Sequence, residues 1–266
     1  MSLAERYGPW AVISGASEGT GRAFARRIAA DGIHCVLIAR RQGPLDELAD
    51  ELRQEYGVEC VTAAIDLSAP DASERVKAAA GDREVGLYVS NAGADPEGSR
   101  FLDIEVDRWV DQVNRGIVNL MRCCHHFGGQ MRERKRGGLL LAGSGACYGG
   151  SSFMATYSGL KAFGLNFAES LWAELRPHGV DVLYAALGTT DTPAFRALAE
   201  SKGLPLPAGL ADPQEVAKVV LSRLADGPLA NWGLEDDDAG YLPMSAAARR
   251  ARVLAIGEAT RRIFGE

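Results

Sequence analysis

The chain has 266 residues, enough to bury a large core without disulfide or metal staples. Hydrophobic residues make up 47% and charged residues 24%, the balance of a soluble globular protein, and no run approaches the roughly 18 uncharged apolar residues of a membrane span. A formal charge of −6 and a pI near 5.4 argue against a general nucleic-acid binder.

The N-terminal stretch MSLAERYGPW has no apolar signal core, so the cytoplasm is the expected location. Trp10 to Ser14 (WAVIS) reads as a buried strand, followed by a glycine turn and a helix from about Thr20 to Ala30. Strand His34–Ala39 precedes a helix around Leu45 to Tyr56, and strand Val58–Ile65 precedes a polar helix near Ala72 to Ala80. Strand Val85–Ser90 leads into a long helix from about Val106 to Arg134. Its last turn carries the basic cluster Arg132 to Arg136, where cations suit the dipole and Gly137 and Gly138 are expected to stop the helix. Strand Leu139–Gly143, helix Thr156–Leu175 and strand Val180–Leu187 complete the alternation. Each strand is apolar throughout, which implies a sheet covered on both faces, and the helices between imply right-handed parallel crossovers. The fold class is α/β: a doubly wound, Rossmann-type parallel sheet of about seven strands in a single domain.

Beyond Leu187 the rhythm breaks into a Pro-, Leu- and Gly-rich stretch, 189–212, read as a substrate lid with a short helix at Pro193 to Ser201. Asp212 and Pro213 cap and open a helix to Ala225. A seventh strand is expected near Leu229 to Trp232, a solvated loop at Asp236 to Asp238, and a final helix over 246–264. The five cysteines are odd in number, lack CxxC spacing and mostly sit in apolar runs, so no disulfide framework or zinc site is indicated. His125 and His126 are adjacent on a helix and diverge. No metal site is expected.

Chemistry concentrates at strand ends. SGASEGTG, Ser14 to Gly21, stands between the first strand and first helix, where a chain must turn sharply and let a diphosphate approach its backbone; Gly15, Gly19 and Gly21 suit that and the helix N-terminus offers N–H groups. Tyr157 and Lys161 are four apart on one helix face, so the ammonium can favour the phenolate of a tyrosine acting as general acid or base. Ser144 follows the fifth strand, at the edge where open α/β sheets bind ligands. After the second strand the chain reads Ala39, Arg40, Arg41, where an acidic residue would favour NAD and an arginine suits a 2′-phosphate. NADP(H) is therefore the favoured cofactor, with NAD(H) possible. Arg40 is the first candidate and Arg41 the second, although Glu18 argues mildly the other way.

The GxxxGxG spacing, Asp66 after the third strand, Asn91 to Gly93 after the fourth, Asn114 in the long helix, and Ser144, Tyr157 and Lys161 occur in the order of the short-chain dehydrogenase/reductase family, which the sequence resembles over nearly its whole length. The resemblance implies that Ser17, Gly19, Thr20 and Gly21 line the phosphate turn, that Asp66 and Leu67 contact the adenine, and that Asn91, Ala92 and Gly93 wall the adenosine. It also implies that Asn114 anchors a water linking Lys161 to solvent, and that Lys161 reaches the nicotinamide ribose. Thr20 stands where the family has Ile and Ser90 where it often has Asn. The family's Pro-Gly after the sixth strand is here Leu187-Gly188, with Thr192 at the spacing of the carboxamide contact and Thr189 or Thr190 within reach of the diphosphate.

The expected substrate is a hydrophobic ketone or aldehyde, or the corresponding alcohol, because Tyr148, Phe153, Met154, Phe195, Leu198, Leu204 and Leu206 flank the expected pocket. Two alternatives are a 3-oxoacyl-carrier-protein reductase, for which no clear basic docking patch is visible, and a catalytically silent nucleotide-binding regulator, which would typically have lost Tyr157 or Lys161. The apolar residues Phe163, Leu165, Phe167, Ala168, Leu171, Trp172 and Leu175 spread around much of the helix that carries Tyr157. A homodimer or homotetramer through paired long helices is expected. No nucleic-acid or membrane partner is expected.

Overall fold

The computed structural model describes residues 2–94 and 98–232. The loop at Asp236 to Asp238 and the helix expected over 246–264 lie outside them. The strands are β1 (Trp10–Ser14), β2 (His34–Ala39), β3 (Cys60–Ala64), β4 (Val85–Ser90), β5 (Gly137–Ala142), β6 (Val180–Ala186) and β7 (Leu229–Asn231). They form one sheet in the order β3-β2-β1-β4-β5-β6-β7, with every neighbouring pair parallel. The helices are α1 (Leu3–Tyr7), α2 (Gly19–Ala30), α3 (Gln42–Tyr56), α4 (Ala72–Ala80), α5 (Val106–Val113), α6 (Asn119–Arg134), α7 (Ala155–Leu175), α8 (Pro193–Ser201) and α9 (Pro213–Ser222).

The strands are largely apolar because each face has its own helical cover. Ala11 and Ile13 of β1 share a core with Phe24 and Ile28 of α2, Leu48 of α3 and Val220 of α9. Val12, between them, points into a second core with Val76 of α4, Phe127 and Met131 of α6, and Leu165 and Ala168 of α7. Both faces being filled, polar groups gather at or near the strand ends, Thr62 of the edge strand β3 excepted, and the chemistry-bearing residues cluster there.

Several boundaries differ from the sequence reading for local reasons. The helix α1 was not anticipated, although Ser2 and Glu5 form a capping box, with Glu5 N–H donating to Ser2 Oγ at 3.2 Å and Ser2 N–H to Glu5 Oε2 at 2.6 Å. It docks at the amino edge of the sheet, where Arg6 grips Asp181 at 2.7 and 3.0 Å and the Tyr7 hydroxyl donates to the same carboxylate at 2.8 Å. Helix α3 begins three residues before Leu45, since Pro44 falls in a first turn that needs no N–H. Helix α9 ends at Ser222, with a 3-10 turn at Leu224–Asp226 taking the last residues.

The long helix Val106–Arg134 is interrupted: Asn114–Val118 forms a π turn between α5 and α6. Its C-terminus is not stopped by glycine, because Lys135 itself takes the left-handed cap at φ 55°. Gly137 instead opens β5, where a Cβ would lie 2.4 Å from Met131 Cγ, so the strand can start tight against α6. On α7, Leu160, Leu165, Ala168 and Leu175 are buried within the chain, while Phe163 and Phe167 stack at 5.4 Å between centroids and stay half-buried. The segment 189–212 is closed at its base by a Thr190–Ala211 bridge, with Ala211 N–H donating to Thr189 O at 3.0 Å. Among the described residues no helix is long and apolar enough to cross a membrane.

Candidate active site

From β1 the chain winds outward to β2 and β3, then crosses back to β4 on the other side of β1. A crevice therefore opens beyond the carboxyl ends of β1 and β4, the general ligand position in open α/β sheets. Gly15 (φ +73°) and Gly19 (φ +54°) occupy left-handed backbone that only glycine adopts at little cost. Gly21 is required by space: a Cβ there would fall 1.9 Å from Gly15 O and 2.6 Å from Asn91 Nδ2. Asn91 braces the turn, its side chain donating to Gly15 O at 3.2 Å and its N–H to Ser14 Oγ at 3.2 Å. Ala92 follows against Gly15, Ser17 is half-buried in the turn and Thr20 is buried in the first turn of α2.

Glu18 occupies the N-cap position of α2 but makes no side-chain cap. Its carboxylate turns to Arg41 Nη2 at 2.5 Å. The side chain that could have satisfied the first-turn N–H groups is thus directed away from them, which suits an anion-binding helix end. The two arginines after β2 are separated by this pairing. Arg41 is 63% exposed and held by Glu18, whereas Arg40, also exposed, lies on the side of Asp66. The carboxyl of Asp66 is held below its ordinary range first by the Ser68 N–H, donating at 3.0 Å, with Arg115 and Arg40 adding positive potential. Leu67 is buried in the second core.

At the start of the 189–212 segment, Thr192 meets the glycine turn: a Cβ on Gly19 would lie 2.8 Å from Thr192 Cγ2. Its hydroxyl accepts from Phe195 N–H at 3.2 Å, capping α8. Thr190 Oγ donates to Gly188 O at 3.2 Å. The anticipated pocket residues separate. Tyr148 is buried, with its hydroxyl bonded to Asn231 of β7, while Leu206 is exposed. Phe153 takes a left-handed backbone (φ +66°), unusual for a bulky residue, beneath the guanidinium of Arg100 at 5.1 Å.

Ser144 follows β5 and starts a 3-10 turn, Gly145–Tyr148, its Oγ accepting from Ala146 N–H at 3.2 Å. Tyr157 and Lys161 lie on successive turns of α7. Lys161 is only 8% exposed; its Nζ donates to Ala142 O at 3.3 Å and stands 5.4 Å from the centroid of the Tyr157 ring. Gly93 leaves it room, since a Cβ there would come to 3.3 Å from Nζ. Burial pushes the Lys161 ammonium down to about 8, with Arg115 adding to the shift and Cys147 opposing it. Asn114 begins the π turn, and Gly116 within it lets Leu160 of α7 approach, 3.2 Å from where a Cβ would stand. A small cavity bounded by Ser90, Gly93, Gly116, Leu160 and Lys161 lies between these elements. Among the described residues no group of three or more His, Cys, Asp or Glu is arranged to hold a metal. All five cysteines are free and buried.

One residue of this cluster was missed from sequence: Tyr184 on β6, whose hydroxyl bonds the backbone at both Ser144 and Lys161. The available signal was an aromatic among the small and aliphatic residues that follow Asp181 in that strand.

A buried ammonium with a lowered pKa costs folding free energy. The penalty is complete below pH about 8, shrinks as Lys161 neutralises with rising pH, and is gone above its ordinary value of 10.5. Lys161→Met, which keeps the stem, is therefore expected to raise the Tm of the cofactor-free protein at pH 7 by at least about 3 °C, with the gain vanishing by pH about 10.5. Scanning calorimetry at the two pH values checks this; a lower Tm at pH 7 would show that the ammonium is a net stabiliser.

The chain matches the short chain dehydrogenase family over residues 9–203. It is 34% identical over 195 residues to a 7beta-hydroxysteroid dehydrogenase of Collinsella aerofaciens, covering 73% of this chain and 74% of that protein. A solved structure described by its work on 7beta-hydroxysteroid dehydrogenase stereoselectivity superposes with a TM-score of 0.81 at 30% identity, covering 90% of this chain and 93% of the other. A Beutenbergia cavernae protein described as an NAD(P)-dependent gluconate 5-dehydrogenase, with bound NADP, superposes with a TM-score of 0.70 at 27% identity, over 82% and 89% of the two chains. The chain belongs to the short-chain dehydrogenase family of oxidoreductases.

Proposed function

We propose that this protein is an NADP(H)-dependent carbonyl reductase or alcohol dehydrogenase that interconverts a hydrophobic ketone or aldehyde and its alcohol. The observation that carries the reading is the buried Lys161 ammonium beside the Tyr157 ring, at the sheet edge where Ser144 emerges. The nicotinamide group supplies the hydride donor or acceptor. In the reducing direction the Ser144 hydroxyl holds the carbonyl oxygen, and Tyr157 gives that oxygen its phenolic proton. Lys161 stabilises the phenolate left behind, lowering the cost of the transfer at neutral pH. Asn114 anchors the water through which the proton is restored. The same groups run in reverse when an alcohol is oxidised.

The glycine turn and the uncapped N-terminus of α2 fit a diphosphate, and Arg40 fits a 2′-phosphate, a choice supported by the NADP bound to the Beutenbergia protein. Similarity to 7beta-hydroxysteroid dehydrogenases supports a bulky, apolar substrate. The half-covered pair Phe163 and Phe167 supports assembly through α7, where a second copy would complete the cover.

Tyr157→Phe keeps the ring and removes only the proton donor. Turnover of a ketone panel, followed by NADPH absorbance, should fall by about 10²-fold or more while NADPH affinity stays within about threefold. Near-normal turnover in this variant would exclude Tyr157 as the acid.

Arg40→Asp replaces attraction to a 2′-phosphate by repulsion. NADPH binding should weaken by at least about tenfold with NADH unchanged or improved, read by fluorescence titration of both cofactors. Equal losses for the two would place the 2′-phosphate elsewhere.

Light scattering at micromolar concentration is expected to give a multiple of the 28.3 kDa chain mass. A monomer mass would remove the helix-pairing proposal and leave the chemistry untouched.

A further inference from the structure

Tyr184 takes no part in the chemistry proposed above, yet it sits between the two elements that carry it. It is 2% exposed, and its ring fills a slot left by two glycines. A Cβ at Gly143 would fall 1.9 Å from Tyr184 Cζ and 2.3 Å from its hydroxyl oxygen; one at Gly164 would fall 3.1 Å from Cε2. Neither glycine has left-handed backbone, so what each contributes here is the space of its missing side chain. One lies just beyond β5 and the other on α7, so the ring is seated between strand exit and helix.

The hydroxyl is committed on both sides. It donates to the Lys161 carbonyl at 3.1 Å and accepts from the Ser144 N–H at 3.1 Å, with the Ser144 carbonyl further off at 3.5 Å. A phenol has one proton to give, so the shorter donor contact and the accepted N–H use it at both ends. Burial first, and then the neighbouring Cys147, hold this phenol far above its ordinary 10, which keeps it a neutral donor at every pH at which the protein works. A Tyr157 phenolate would act in the same direction.

We infer that Tyr184 is a positioning residue that ties the exit of β5 to α7 through two backbone groups, and so holds Ser144 in one frame with Tyr157 and Lys161. The inference rests on reading those three residues as the reaction centre. A tyrosine that only filled volume would not need to bond the backbone of both Ser144 and Lys161. Fixing the Ser144 N–H fixes the Cα from which its Oγ projects. Fixing the Lys161 carbonyl fixes the backbone of α7 at Lys161, one turn after Tyr157.

Tyr184→Phe tests this, because it keeps the ring in its slot and deletes the oxygen. Misplacement of reacting groups by about 1 Å can cost roughly 10²-fold, so a partial loosening is expected to lower kcat at least about tenfold with the KM for NADPH within about threefold. The limb of the kcat–pH profile that belongs to Tyr157 should move by at least about half a unit, since Lys161 Nζ is anchored on Ala142 O of β5 and shifts against the Tyr157 ring when α7 loosens from that strand. A merely structural tyrosine would lower Tm and leave kcat per folded molecule and the pH limb in place; that result overturns the inference. Gly164→Ala, which crowds the ring by only a few tenths of an ångström, should give a smaller change in the same direction and serves if the phenylalanine variant does not fold. Amide hydrogen exchange at Ser144 supplies a readout that needs no turnover: it should accelerate at least about tenfold in the folded variant. Unchanged exchange would dispose of the tether even if the wild-type protein proved inactive on every carbonyl tried. Faster exchange in an inactive wild type would count against the proposed activity alone.

Discussion

A single ammonium taken out of water at the carboxyl edge of an apolar sheet shapes much of what surrounds it. Lys161 donates to a strand-end carbonyl, Ala142 O, and the ring of Tyr157 stands nearby. Its neighbours are correspondingly small. Gly93 clears the space over Nζ, Gly116 lets the π turn approach α7, and Gly164 makes room for the tyrosine that bonds the Lys161 backbone. Larger residues at these places would push α7 away from β5 and loosen the frame around the charge. The pKa fall to about 8 is the electrostatic trace of that compactness.

Much of this was legible from sequence because strand ends in a parallel sheet are marked by abrupt changes of composition. WAVIS gives way to SGASEGTG, and VGLYVS to NAG, so β1 and β4 could be placed to the residue and the end of the glycine turn to within one, α2 starting at Gly19 rather than Thr20. The period-free apolar runs gave the covered sheet, and the structure adds its strand order. What failed were features decided by contacts distant in sequence. The helix α1 is held by Asp181, some 175 positions away, and only its capping box was local. The stop after α6 was assigned to glycine on propensity, whereas Lys135 accepts the strained cap and Gly137 serves the fit of β5 on Met131. The aromatic at Tyr184 was visible in the sequence but its role was not, because its partners are backbone groups that have no sequence signature.

Leu187 stands after β6 where the family has a proline. In the structure the ladder continues past the strand end. Gly143 N–H donates to Ala185 O at 2.8 Å, Gly145 N–H to Leu187 O at 2.9 Å, and Trp232 N–H to Ala186 O at 3.1 Å. The Leu187 side chain is buried in the first core. Backbone bonds from β5 and from the residue after β7 thus restrain from both sides a segment that proline would have stiffened through its ring.

The remaining constraint is electrostatic. A chain with a formal charge of −6 repels anions at a distance, so any affinity for one must come from a local field. The crevice at the β1–β4 switch supplies it from few sources. Glu18 could have neutralised the positive end of α2 by capping it; its carboxylate instead pairs with Arg41. That choice leaves the helix end to its backbone N–H groups and spends the charge of Arg41. Arg40 is then the arginine after β2 not engaged by Glu18, and part of its field reaches Asp66. The anion preference of the crevice therefore depends on the direction in which one glutamate turns, because the same carboxylate placed over the first turn of α2 would oppose both the helix dipole and Arg40.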